Sequence, residues 1–344
     1  MRRRPGIAGP VRRRFRGRGR PATQGGTPRG GPPTSDVLDI VAPIFGLVLL
    51  GMASGRLGWF DAAATRGLSL FVFNLAIPVM LLRQLAQARL AGSLDWGVLL
   101  AYFGSAFLVF GLGWLGARRL FGRGGADPGV FGISAAFSNL VVLGTPVVLT
   151  GFGEAAALPL FLLIAAHSPP LFTLTTLAIE HGRGRDLPPG ELWRSVGKGL
   201  VTNPILWGLG GGLVMNLAGL SLPGALDRMA QMLGAAALPC ALFALGANLA
   251  RFRLGRTLKE ALFLTALKTL AQPALVLAAC ELLRLPRTSL QVLVTIAAMP
   301  SGVNAYLFAA RYEAAVAEAS STILISTGVS VVTLSVLLLW LKPG

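Results

Sequence analysis

The chain has 344 residues, 53% of them hydrophobic and 13% charged, with a mean hydropathy of +0.67 and a formal net charge of +17. A soluble domain carries about 25% charged residues, so this composition excludes an ordinary soluble enzyme or binding module and indicates a polytopic membrane protein. The only cysteines, Cys240 and Cys280, both lie in apolar stretches, which excludes a disulfide framework and a cysteine metal site.

Residues 1–34 hold ten arginines and no acid, among many Gly and Pro residues. That is the composition of a disordered basic tail, taken here as residues 1–36. Three readings compete for it. It is a polybasic arm for anionic lipid or nucleic acid, a targeting segment without the apolar core of a signal peptide, or translated upstream sequence before a natural start near Val37. Ten apolar spans follow, at roughly 37–57, 62–82, 95–117, 129–150, 155–179, 197–219, 222–249, 258–281, 289–310 and 314–340. The polar stretch 181–196, with Pro188-Pro189, reads as a central cytoplasmic loop between one five-span unit (37–180) and another (197–344).

The two units read as repeats. Pro43 and Pro204 are 161 positions apart, as are Pro78 and Pro239, and Glu154 and Glu313 are 159 apart. An odd number of spans per unit inverts the second unit relative to the first. Loops after odd-numbered spans carry fourteen Lys and Arg residues, including Arg118, Arg123, Arg183, Arg185, Arg253 and Arg256. Loops after even-numbered spans carry five, including Arg83 and Arg89. The positive-inside rule puts the first set in the cytoplasm.

The fourth and ninth spans are interrupted alike. FGISAAFSNLVVLGTPVVLTGFGEAA (131–156) carries Asn139, Gly144 and Pro146; VTIAAMPSGVNAYLFAARYEAA (294–315) carries Pro300, Gly302 and Asn304. Interrupted spans at corresponding positions of two halves point to a transporter binding site. Proline removes an amide donor and glycine admits conformations closed to other residues. The helix ends so exposed favour an anion, and Asn139 and Asn304 are neutral donors for a carboxylate. The competing reading is a pair of ordinary proline kinks. All fourteen acids lie at span ends or in loops. That disfavours a cation substrate and weakens carboxylate-based proton coupling.

Lys268 lies inside the eighth span, either as a fixed positive charge for an anion or the crossing, or as a snorkelling side chain. His167, in the fifth span, is either a neutral hydrogen-bonded residue or a proton-linked one. Asn74 precedes Pro78 by one turn. Asn203, Asn248, Ser326 and Thr327 line a cavity or cap disturbed helices. The run GLGGG at 208–212 lacks the Lys-Ser or Lys-Thr of a phosphate loop and reads as close helix packing.

VLDIVAPIFGLVLLGMASGRLGWF, LFVFNLAIPVMLL, TNPILWGLGGG, LPCALFALGANL, LKTLAQPALV and AAMPSGVNAYLFAARYEAAVAEASSTILISTGVSVVTL together resemble the auxin efflux carrier family, especially its bacterial malonate- and malate-permease-like members. The resemblance runs from Val37 to Leu341. It implies an all-α membrane protein of ten transmembrane helices, two inverted five-helix repeats, with spans four and nine broken and crossing at Pro146 and Pro300. It further implies a scaffold of spans one, two, six and seven, a transport unit moving against it as an elevator or rocking element, and dimerisation through the scaffold. The long hydrophilic loop of plant members is absent, and Asn74 stands where an apolar or aromatic residue is expected.

The reading is a secondary carrier or facilitator of small mono- or dicarboxylates in the cell membrane, working by alternating access. The substrate site is Asn139, Gly144, Pro146, Pro300, Gly302 and Asn304, with Lys268, His167 and Asn74 in support. Cofactor, metal and nucleic-acid partner are not expected. An intramembrane enzyme would need paired carboxylates, a metal cluster or a nucleophile with its base, and the spans offer none. A membrane sensor that binds the anion without moving it is the alternative.

Overall fold

The computed structural model describes residues 33–88, 96–184, 189–252 and 257–341. The arginine tail up to residue 32, and Arg89, Arg185, Arg253 and Arg256 of the charge count, lie outside the described residues. Every regular element described is helical: α1 Pro33–Arg56, α2 Ala62–Gln87, α3 Trp96–Arg119, α4 Asp127–Ala136, α5 Leu140–Phe152, α6 Ala157–Gly182, α7 Pro189–Val201, α8 Pro204–Leu217, α9 Gly224–Leu249, α10 Leu258–Leu282, α11 Arg287–Ala297, α12 Asn304–Tyr312 and α13 Val316–Leu341. Seven of these, α1, α2, α3, α6, α9, α10 and α13, are long and apolar enough to cross a bilayer on their own.

Three of the expected spans are each divided between two helices. The fourth becomes α4 and α5, and the ninth becomes α11 and α12. The sixth begins within α7 and resumes as α8, because Asn203 has extended backbone (φ −88°, ψ 108°) and its side chain accepts from the Ile205 amide, ahead of Pro204. The expected loop 181–196 is therefore corrected: its second part is the start of helix α7. Likewise α1 begins at Pro33, inside the segment taken as tail, since nothing from Thr34 to Asp36 opposes a helix that continues into the first apolar span. Three helices contain a π-helical turn, at Val72–Ala76, Leu140–Gly144 and Leu267–Ala271. In each case a proline (Pro78, Pro146 or Pro273) follows two residues after the turn ends. The wider turn accommodates a ring that donates no hydrogen bond to the preceding turn.

Glycine decides which helices approach closely. In α1, a Cβ added at Gly51 would strike the Phe243 carbonyl of α9, and one at Gly55 would lie 2.8 Å from the Ala250 Cβ. Gly246 of α9 abuts the Val48 carbonyl in return. In α8, Gly208 meets the Pro78 carbonyl, and a Cβ at Gly212 would lie 2.6 Å from the Leu82 carbonyl of α2. Small residues four apart let membrane helices come into backbone contact, where dispersion replaces the missing hydrophobic drive. Polar ties close the α2 end of this group. Arg83 pairs with Asp227 at 2.8 Å, and the Asn216 amide donates to the carbonyls of Leu85 (3.0 Å) and Ala88 (2.7 Å), satisfying the end of α2. We expect Gly51→Val to abolish monodisperse protein on size-exclusion chromatography. Gly46→Val, where an added Cβ meets nothing within 4 Å, should behave as the native chain; equal behaviour of the two would refute this packing.

A second group surrounds α4. Gly113 of α3 lies against the Phe131 carbonyl, and a Cβ at Gly132 would lie 2.6 Å from the Phe110 ring. Arg123, between α3 and α4, pairs with Asp127 (3.6 Å), Glu260 (3.4 Å) and buried Glu318 (2.6 Å). It ties the starts of α4, α10 and α13 at one end. The outer surface is apolar, with Leu49, Leu100, Val332 and Val336 exposed, and Trp59, Trp96 and Trp340 exposed near helix ends, the placement of interfacial aromatics.

Candidate functional site

Helix α4 stops at Ala136 because Phe137 is extended (φ −84°, ψ 111°). Asn139 (φ −75°, ψ 60°) is the centre of an inverse γ-turn closed by the Leu140 amide on the Ser138 carbonyl at 2.8 Å. The stretch that follows α11 lies antiparallel to it, with Ser138 bridged to Ser301. The Asn139 amide donates to the Pro300 carbonyl and the Gly302 amide to the Phe137 carbonyl, each at 2.9 Å. Each non-helical stretch thus satisfies the backbone of the other, as buried backbone without water requires. Glycines mark the closest approaches. A Cβ at Gly302 would lie 2.7 Å from the Phe137 ring, and one at Gly144 would lie 2.6 Å from Ile296.

Behind this crossing, one side chain reaches one half-helix and its neighbour reaches the other. Lys268 Nζ donates to the Ala297 carbonyl at 2.5 Å and to Gln272 Oε1 at 2.7 Å. Gln272 Nε2 donates to the Ala136 carbonyl at 3.2 Å. Ala136 and Ala297 are the last helical residues of α4 and α11. Their carbonyls are among the orphan acceptors of helix C-termini, where the dipole favours a cation. Lys268 and Gln272 are both fully buried, one turn apart across the π turn of α10.

Beside the crossing, the Tyr102 hydroxyl of α3 bonds to Ser138 Oγ at 3.0 Å. His167 of α6 lies between the rings of Phe137 (4.4 Å) and Tyr102 (5.6 Å). Both of its ring nitrogens are buried without a hydrogen-bond partner. The Ser301 amide donates to Ser326 Oγ at 3.1 Å. Two donors at the crossing are buried without partners: Asn139 Nδ2 and Ser301 Oγ. Asn139 occupies the N-cap position of α5 without a side-chain capping bond, and Asn304 is the half-buried first residue of α12. A neutral amide therefore stands at the start of each second half-helix, the end whose free amides favour negative charge.

Of the residues singled out from the sequence, Asn139, Gly144, Pro300 and Gly302 meet at the crossing. Asn304 begins the helix just beyond it, and Lys268 and His167 flank it. Pro146 is a correction: it lies inside α5, and the first break falls at Ser138–Asn139. Its ring is absorbed by the π turn Leu140–Gly144, so it breaks no helix. Asn74 sits exposed in the π turn of α2, which packs against α8 and α9 and not against the crossing. Four residues at or beside the crossing are not among those the sequence singles out: Tyr102, Ser138, Ser301 and Gln272. Ser138 and Ser301 had a signal, a serine beside Asn139 in one break and beside Pro300 in the other. Gln272 had one too, lying four residues after Lys268. Among the described residues no three His, Cys, Asp or Glu side chains gather to hold a metal.

Apolar spanning helices around a buried polar crossing define an integral multi-pass membrane protein, and the comparisons with known proteins specify its class as a transport protein, not an enzyme. The chain belongs to the auxin efflux carrier family: the model of that family, described as "Membrane transport protein", matches residues 36–186 and 188–338. It is 27% identical to a Rhizobium meliloti protein named "Putative malonate transporter", over 90% of this chain and 97% of the other. It is 29% identical to an "Uncharacterized transporter" of Methanothermobacter thermautotrophicus, over 86% and 95% of the two chains. With the "Uncharacterized transporter YfdV" of Escherichia coli K12 it shares 23% identity over 78% and 86%.

Proposed function

We propose that this protein is a secondary carrier or facilitator of small mono- or dicarboxylates. In this reading the chain crosses the membrane ten times as two inverted five-span repeats, with α4–α5 and α11–α12 as the broken crossings. The helices around α4 move as a unit against the group α1, α2, α8 and α9, exposing the crossing to each side in turn. The observation that carries the reading is the buried side-chain amide nitrogen of Asn139, Nδ2, which has no partner at the crossing. A donor left without a partner costs about 1–3 kcal/mol, a cost that a bound carboxylate removes. The helix N-termini that begin at the crossing, at Leu140 and Asn304, and the absence of an acid there among the described residues support an anion. Glu318, the one acid among the buried side chains described, is engaged by Arg123 at a helix start.

The name of the Rhizobium relative makes malonate the first anion to try. Purified protein reconstituted in vesicles is expected to pass one or more of malonate, malate, succinate and acetate faster than protein-free vesicles. The same anion should raise Tm, since a ligand that binds only the folded state stabilises it. A Tm rise without flux would identify a sensor, and neither effect with any of the four would overturn the carboxylate reading.

A further inference from the structure

Away from the crossing, α3 and α6 splay apart and leave a groove of about 990 Å3, at the upper end of the roughly 300–1,000 Å3 of small-molecule sites. Its wall includes Phe110, Gly111 and Trp114 from α3, and Pro169, Pro170 and His181 from α6. The wall is almost wholly apolar. Even Thr173, which lines it, directs its hydroxyl to the Pro169 carbonyl at 2.8 Å. The concavity has a local cause, since Gly111 offers no side chain and an added Cβ there would meet nothing within 4 Å.

One end of the groove is basic. The Arg118 guanidinium lies 4.8 Å above the Trp114 ring, and Arg119 follows it in the last turn of α3. No acid lines the groove, and Glu180, beside His181, is turned toward Tyr312. The positive-inside rule assigns this end to the cytoplasmic leaflet, the one rich in anionic lipid. A long apolar slot with a cation and an indole at its interfacial end is complementary to an anionic phospholipid.

We propose that the groove between α3 and α6 holds one acyl chain of an anionic phospholipid, with its head group on Arg118. The site is one helix away from the crossing. Phe110 packs on Gly132 of α4, and Pro169-Pro170 follow directly after His167-Ser168, where His167 touches Phe137. The bound lipid therefore braces the outer side of the half-helix that ends at Ala136. This inference is independent of which solute crosses.

Native mass spectrometry of the full chain in detergent tests it, with phosphatidylglycerol and phosphatidylcholine of identical acyl chains. One retained phosphatidylglycerol is expected, favoured about fivefold over phosphatidylcholine, as one interfacial Arg would give. Arg118→Ala should abolish the preference and keep residual binding of both lipids. Gly111→Trp, which fills the groove, should abolish retention of both; if that variant does not fold, Leu177→Trp on the opposite wall takes its place. Equal retention of the two lipids by the native chain, or undiminished retention in the filled variants, would overturn the proposal.

Discussion

Lys268→Met is expected to lower the stability of the folded protein by about 2 kcal/mol or more and to reduce flux with it. Methionine keeps most of the alkyl stem, so the packing of α10 changes little. What is lost is the donor to the Ala297 carbonyl and to Gln272 Oε1. Each acceptor left buried without a partner costs about 1–3 kcal/mol. Gln272 also loses the contact that orients its amide toward Ala136, so both half-helix ends loosen together. Opposing this is the desolvation of an amine that no acid accompanies, which methionine relieves. The two orphaned acceptors, the Ala297 carbonyl and Gln272 Oε1, outweigh it, because both residues are fully buried and no water replaces the lost donor. Thermal unfolding in detergent is the measurement, and a Tm equal to or above the native value would show that desolvation dominates. Gln272→Ala should fall in the same direction by a smaller amount, since it frees only the Ala136 carbonyl.

Asn139→Ala has the opposite signature: flux falls about tenfold or more while Tm without substrate does not fall. The amide nitrogen has no partner in the ligand-free fold, so its removal deletes no native hydrogen bond. A hydrogen bond to a charged ligand contributes about 1.5–3 kcal/mol, which corresponds to a tenfold loss or more in carrier turnover or affinity. The Tm rise given by the transported carboxylate should shrink by the same measure. Asn139→Asp is expected to be worse than Ala, because it buries a carboxylate and repels the anion. Native flux in Asn139→Ala would remove Asn139 from the site, leaving Ser301 and the helix ends as the remaining donors. The pairing of the two variants separates support from recognition. Lys268 lowers Tm before any substrate is added, and Asn139 lowers only the response to it.

The membrane class and the family were legible because both reside in local sequence. Apolar runs of bilayer length and the string PSGVN need no tertiary information. Asn, Gly and Pro within 131–156 and 294–315 suggested an interruption in each, but the same residue types lie in α2 (Gly67, Asn74, Pro78) and α9 (Gly234, Pro239, Asn248), which stay continuous. The place of the break was not legible. At 131–156 the strongest breaker, Pro146, stays helical, since a π turn before it removes the clash. The helix gives way instead at Ser138, where no proline stands. That site is favoured because the Asn139 backbone amide and the Phe137 carbonyl find partners there in the Pro300 carbonyl and the Gly302 amide, which come from the opposite end of the chain.

The sequence by itself determined what kind of solvent surrounds this protein and which stretches are apolar enough to form spanning helices, because hydropathy acts over a few turns. Only the tertiary structure decided what meets at the interruptions. It joined Ser138 to Ser301, placed Lys268 and Gln272 on the ends of two half-helices far apart in sequence, and brought Tyr102 and His167 beside Ser138. Backbone groups freed in an apolar medium must find partners inside the protein, and which partners they find is set by helix packing that no local pattern encodes.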